Sequence, residues 1–189
     1  MRVIAGELGG RVLKAPAGNR TRPTADRVRE ALFSVLGDVH GCNVLDLYAG
    51  TGALGIEALS RGASRAVFVE NASDAIRCLR NNLSTLGLAN RSVLVCRPVE
   101  RARDELVKMA PYDLVLCDPP WRTVQAVWCW LGTLDWVQWL SPTGRVVLEH
   151  PTHEPTAVLE GPLLHSTQTR AWGDSAVTIF QRSSTLEQR

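Results

Sequence analysis

The chain has 189 residues, 45% hydrophobic and 21% charged, with a net charge of +2. That is enough for one domain with a full core and too little for two. No apolar run reaches membrane-spanning length, "MRVIAGELGG" lacks the apolar stretch of a secretory signal, and the five cysteines (Cys42, Cys78, Cys96, Cys117, Cys129) form no C-x-x-C pair. Membrane, exported and metal-binding classes are set aside on this basis. A cytoplasmic protein with reduced, mostly buried thiols is expected.

The charge is uneven. Arg2, Arg11, Lys14, Arg20, Arg22, Arg27 and Arg29 crowd the first 29 residues against only Glu7 and Asp26. A polyanion-binding arm has this composition, and so does a solvated hairpin in an arginine-rich chain. "RVIAG" and "GRVLKAP" flank Gly9-Gly10 and predict a small β-hairpin, with "NRTRP" following as a loop. Thr24 then caps a helix whose apolar positions Val28, Ala31, Leu32, Val35 and Leu36 repeat at helical spacing until Gly37. Arg29 and Glu30 read either as part of that polyanion-binding arm or as a plain helix surface pair.

From Asn43 the pattern becomes strand, turn, helix, repeated. The strands are "NVLDLY", "RAVFVE", "SVLVC", "YDLVLC" and "RVVLEH". Helix-like runs start near Ala53, Ser73, Val99 and Val124, with another around Trp136. Continuous apolar strands alternating with helices predict a parallel sheet covered on both faces. "LLHSTQTRAW" and "SAVTIFQR", separated by Gly173-Asp174, predict a closing antiparallel hairpin. Because this sheet starts at Asn43, the N-terminal arm reads as dispensable to the fold. Trp128, Trp130, Trp136 and Trp139 read as helix residues covering the sheet, and His150 and His153 as solvated loop residues.

Ligands of open α/β sheets sit at the carboxyl ends of the strands. The first strand ends at Asp46 and the G-x-G-x-x-G turn of Gly50, Gly52 and Gly55. A dinucleotide would place its pyrophosphate on this turn and the following helix, where the Asp46 carboxylate opposes it. S-adenosylmethionine presents a cationic amine and a sulfonium instead, and its carboxylate can use the backbone N–H groups of the turn. The turn leans toward the methyl donor. Glu70, ending the second strand, suits ribose hydroxyls in either reading.

The fourth strand runs into "DPPW", Asp118 to Trp121. The bland account is a strand stopped by two prolines. The chemical account is more specific. An exocyclic amine on a base is a poor nucleophile, because its lone pair is delocalised into the ring. Asp118 and a carbonyl of Pro119–Pro120 can accept both amine hydrogens, the prolines stiffen the backbone, and Trp121 can stack on the base.

"VLDLYAGTGALGIEALSRGA" followed by "DPPW" resembles the class I S-adenosylmethionine-dependent methyltransferases that act on exocyclic amines. "RVIAGELGGRVLKAP", "TRPTADRVREALFSVL" and "WGDSAVTIF" are similar to the bacterial RsmD type, which methylates a guanine N2 in 16S ribosomal RNA. The resemblance runs from about Arg2 to Phe180. It implies a Rossmann-like α/β fold with a seven-stranded sheet, a C-terminal antiparallel hairpin and a small N-terminal β-hairpin extension. The expected division is a basic arm over 1–23, a methyltransferase domain over 24–182 and a tail over 183–189.

The resemblance also implies roles. Asp46, Tyr48, Gly50, Thr51, Gly52, Glu70, Asn71 and Asp118 are expected to contact S-adenosylmethionine, with backbone at Pro98 and Val99 flanking its adenine. Asp118, Pro119, Pro120 and Trp121 are expected to hold the guanine. Arg2, Arg11, Lys14, Arg20, Arg22, Thr24 and Arg27 are expected to meet RNA. The implied partner is 16S rRNA in an assembling small subunit, met by a monomer without a metal. This chain departs from the family in Trp121, where Tyr or Phe is usual, and in "CRPVE", which lacks the commoner acidic or amide residue. An adenine-N6 methyltransferase shares the two motifs but usually adds a target-recognition region for which 189 residues leave little room. A noncatalytic RNA-binding module predicts a degraded acceptor motif. A dinucleotide-dependent reductase gains nothing from "DPPW".

Overall fold

The computed structural model describes residues 1–16, 23–154 and 164–182, and side chains at 23–25 lie outside that description. Seven strands form one mixed sheet: β1 Asn43–Leu47, β2 Arg65–Glu70, β3 Ser92–Cys96, β4 Tyr112–Cys117, β5 Leu140–Pro151, β6 Leu164–Trp172 and β7 Ser175–Arg182, in the order 3-2-1-4-5-7-6. β7 runs antiparallel to both of its neighbours. The strands fall on the predicted apolar runs, because those runs are bounded by glycine, proline or charge and have no helical period. The chain packs as two compact units, Met1–Val99 and Glu100–Arg189.

In the first unit β1 pairs in parallel with β2, from Asn43↔Arg65 to Leu47↔Val69, and β2 with β3, from Ala66↔Ser92 to Glu70↔Cys96. Helices α1 Pro23–Leu36, α2 Ala53–Ser60 and α3 Ser73–Thr85 complete it. α1 begins at Pro23, whose missing N–H fits a first helical position. Thr24 therefore lies inside the first turn and is not the predicted cap. The helix stops as predicted: Gly37 takes φ 68 and its N–H returns to the Phe33 carbonyl.

The N-terminal hairpin has a single antiparallel bridge, Arg2↔Val12. It is not a free appendage. Glu57 of α2 is 0% exposed, and its carboxylate accepts from the backbone N–H groups of Ile4 (2.7 Å) and Ala5 (3.0 Å) and from Arg61 Nε (2.7 Å). Glu7 N–H donates to the Ser60 carbonyl and Leu8 N–H to Ser60 Oγ. Gly6 is required there, since a Cβ would run into the Ser60 carbonyl oxygen. Asn82 of α3 accepts from Lys14 N–H (2.8 Å) and donates back to the Lys14 carbonyl (3.0 Å). Arg29 is buried, which overturns both the polyanion contact and the surface pair: it donates to Asp26 and to the Arg2 carbonyl and lies 3.7 Å from Glu57.

In the second unit β4 pairs in parallel with β5, ending at Cys117↔Leu148, and β5 pairs with β7 from Arg145↔Gln181 to Pro151↔Ser175. The β6–β7 hairpin turns at Gly173, φ 62. Helices α5 Val124–Leu131 and α6 Trp136–Trp139 appear where predicted. The helix predicted near Val99 is instead a 3-10 turn, the one-turn α4 (Arg103–Leu106) and a second 3-10 turn. Ala102 and Leu106 anchor it in the core, and Pro111 leaves no room to continue. Trp128, Trp136 and Trp139 are buried and Trp130 half-buried, as packing residues. His150 is also buried, against the expectation of a solvated loop. Its Nδ1 donates to the Pro151 carbonyl, Thr178 bonds Nε2, and the ring meets Trp128 edge-on. Of the five cysteines only Cys117 is buried, because Cys96 ends the outer strand β3 and Cys129 faces outward on α5.

Candidate active site

The first unit builds its site where β1 gives way to α2. Tyr48 takes φ 59, a left-handed value uncommon for a side-chain-bearing residue. Gly50 follows at φ 56 and Gly52 at φ 82. A Cβ on Gly50 would meet almost nothing, so its requirement is backbone conformation and an open approach. A Cβ on Gly52 would strike Leu79, and one on Gly55 would strike the Phe68 ring and sit 3.0 Å from Asp46 Oδ2. The last two glycines therefore let α2 close on β2 and α3.

Two carboxylates lock this turn. Asp46, 1% exposed, accepts from Gly55 N–H at 2.9 Å. Burial raises its pKa from 3.8 to about 7, against the Gly55 hydrogen bond, and the nearby Glu70 charge adds to the rise. Glu70 Oε2 accepts from Gly50 N–H, while Oε1 accepts from the N–H groups of Asn71 and Ala72, each at 2.8 Å. Glu70 thereby ties the end of β2 to the glycine turn. Asn82 Nδ2 donates to the Thr51 carbonyl at 3.0 Å, and Thr51 Oγ1 lies 3.5 Å from Met1 Sδ. Asp46, Gly50, Thr51, Gly52, Glu70 and Asn71 thus come together around one turn. Past β3, Pro98 is half-buried and the Val99 side chain is in the core, which leaves backbone as what that turn can present.

An ionised Asp46 repels a pyrophosphate and attracts an ammonium or sulfonium, and a cation beside it favours that ionised form. The residues of this turn fit the methyl donor.

The second unit carries Asp118–Trp121 directly after β4. Pro119 is buried, Asp118 and Pro120 are exposed, and Trp121 is 43% exposed. The Pro120 carbonyl accepts from Thr123 N–H (2.8 Å) and Thr123 Oγ1 (2.9 Å), which fixes the turn before α5. An aromatic ring with this much free surface, on a backbone fixed by two prolines, can receive a flat ligand.

Among the predicted RNA contacts, Arg2, Arg11, Lys14 and Arg27 have exposed side chains. Arg20 and Arg22 lie outside the described residues, as do the Thr24 side chain and the tail. Sequence reasoning missed Glu57, Asn82 and Glu149. Glu57 is the lone charge in the apolar helix α2, and Asn82 sits in a polar stretch of α3 that reads as surface. Glu149 sits inside the fifth apolar run, and its carboxyl accepts from Ser175 Oγ at 2.6 Å. Burial pushes that carboxyl above its usual range, with Ser175 and His150 opposing.

The family described as Conserved hypothetical protein 95 matches residues 1–181. YlbH of Bacillus subtilis is 37% identical over 184 residues, which are 96% of this chain and 99% of that protein. Ribosomal RNA small subunit methyltransferase D of Haemophilus influenzae is 32% identical over 160 residues, 82% of this chain and 81% of that one. The solved structure of yhhF from Escherichia coli superposes with a TM-score of 0.79 at 29% identity, covering 98% of this chain and 99% of that chain. The chain belongs to the Conserved hypothetical protein 95 family, that of the ribosomal RNA small subunit methyltransferases D.

Proposed function

We propose that this chain transfers a methyl group from S-adenosylmethionine to the exocyclic N2 amine of a guanine in 16S rRNA. The Asp118–Trp121 turn carries the reading: acceptors for both amine hydrogens, a rigid backbone and an exposed ring for the base, in a chain whose relative is named for small-subunit rRNA. The proposed substrate is a partly assembled small subunit, and the enzyme acts as a monomer.

S-adenosylmethionine, when bound, supplies an electrophilic methyl group. Asp46 would hold its cationic end, Glu70 its ribose, backbone of the glycine turn its carboxylate, and backbone at Pro98–Val99 its adenine. Asp118 and the Pro119 carbonyl accept the two N2 hydrogens, the Pro120 carbonyl being held by Thr123, and this turns the nitrogen lone pair outward. Trp121 holds the base plane by stacking. When N2 acquires its fourth bond its N–H becomes acidic, and Asp118 already accepts from that proton, which then passes to water. Orientation supplies most of the rate.

Mass spectrometry of rRNA nucleosides from cells with and without the gene tests this. Loss of N2-methylguanosine, restored by the wild-type gene and not by Asp118→Ala, is the expected result. Loss of N6-methyladenosine makes it an adenine enzyme, and no change removes the reading.

A further inference from the structure

Asp118, the prolines and Trp121 accept any flat ring bearing an exocyclic amine. They do not distinguish a guanine from an adenine. Something else must read the ring nitrogen beside the amine, which is a hydrogen-bond donor in guanine (N1–H) and a bare lone pair in adenine.

Glu149 occupies the place where such a reader is needed. Cys117 of β4 pairs with Leu148 of β5, so Asp118 and Glu149 are the next residues along two neighbouring parallel strands, at their carboxyl ends. Neighbouring strands run about 4.8 Å apart, close enough for side chains at their ends to converge on one base edge. Glu149 is half-buried, and Ser175 Oγ tethers Oε1 at 2.6 Å. Oε2 takes no hydrogen bond from the described residues. The strand ladder does not need this side chain, because β5 and β7 pair through their backbones as far as Pro151↔Ser175. One carboxylate oxygen is thus anchored, and the other is open to an incoming donor.

We infer that Glu149 is the specificity-determining residue, its Oε2 accepting from guanine N1–H while Asp118 holds the N2 amine. The inference rests on Asp118–Trp121 being the acceptor site. Adenine would turn the N1 lone pair toward the carboxylate, and repulsion would reject it. Ser175 keeps the carboxylate aimed and is a positioning residue.

The test uses small subunits reconstituted with 16S rRNA whose modified guanine, once mapped, is replaced by 2-aminopurine. That base keeps the 2-amine and has an unprotonated N1. Wild-type enzyme should prefer guanine by roughly a hundredfold or more in kcat/KM, since a site built around a donor rejects an analogue without it. Glu149→Gln keeps an acceptor for Ser175 and can turn an amide N–H toward the unprotonated N1. It should shrink the preference by about tenfold or more, mostly through lost activity on guanine, with an unchanged melting temperature. An unchanged preference in a folded Glu149→Gln overturns the inference and leaves the methyltransferase reading standing. Equal wild-type activity on both bases overturns it too, whether or not the variant folds. If wild-type enzyme leaves guanine unmethylated, both readings fall.

Discussion

Asp46 shows how much one buried group can control. Its folded-state pKa of about 7 stands above the unfolded value of 3.8. The folded chain thus holds a proton between those limits that the unfolded chain has released. The associated stability is fully present below about pH 4 and is lost as pH rises through about 7. Three units correspond to at most about 4 kcal/mol, so Asp46→Asn should raise the unliganded melting temperature at pH 8 more than at pH 5. Ligand binding runs the other way. A cationic ligand favours the ionised carboxyl, so affinity for S-adenosylmethionine should rise with pH through about 7, by up to roughly tenfold per unit below it. Binding at pH 6 should release a proton. Calorimetry in buffers of different ionisation enthalpy measures both, and a flat affinity from pH 6 to 8 would remove Asp46 from the cationic end of the site. The carboxylate was legible in the sequence because it ends an apolar strand before three glycines. Its perturbed titration was not, because that comes from the packing of Gly55 and Phe68 around it.

At the scale of elements, the strands were legible and the helix ends less so. A buried parallel strand is a continuous apolar run, which needs no knowledge of its partner. Thr24 has the chemistry of a cap, yet Pro23 is better placed to start the helix, and local chemistry alone does not rank the two. The Val99 segment has helical spacing but too few buried positions to sustain more than one turn. The turn after β4 was legible down to the residue, since two prolines permit little else. It also makes a separable prediction. With 43% of Trp121 exposed, Trp121→Ala should change the melting temperature little. Stacking is worth about 1–3 kcal/mol per base, so methyl transfer should fall tenfold or more while S-adenosylmethionine affinity holds. Trp121→Tyr should retain much of the rate, because a flat face remains. A folded Trp121→Ala with wild-type single-turnover kinetics would show that the ring does not hold the base.

At the scale of the whole chain, charge and fold meet in the first sixteen residues, and the sequence conveyed the charge and the hairpin but not its bonds to the helices. Val3 and Leu13 are core residues. The backbone N–H groups of Ile4 and Ala5 satisfy Glu57, and the Lys14 peptide satisfies Asn82, whose amide also holds the Thr51 carbonyl of the glycine turn. None of this shows in a residue pattern, because backbone groups do the bonding and any sequence carries them. Deleting residues 1–16 would leave a buried carboxylate short of two donors, a loss on the order of 3–5 kcal/mol when a buried charge loses its partner. The deletion should therefore lower the melting temperature sharply and weaken cofactor binding through Thr51, and it cannot report on RNA. The side chains of Arg2, Arg11, Lys14 and Arg27 are exposed, so replacing all four by Ala removes charge without touching those bonds. That variant should keep its melting temperature and its S-adenosylmethionine affinity. Its rRNA binding should weaken, and the slope of log affinity against log salt should become shallower by a little under one for each phosphate no longer neutralised. Filter binding from low to moderate salt reads the slope. A four-alanine variant with the wild-type slope would mean that the basic segment serves the fold alone and that another surface meets the RNA.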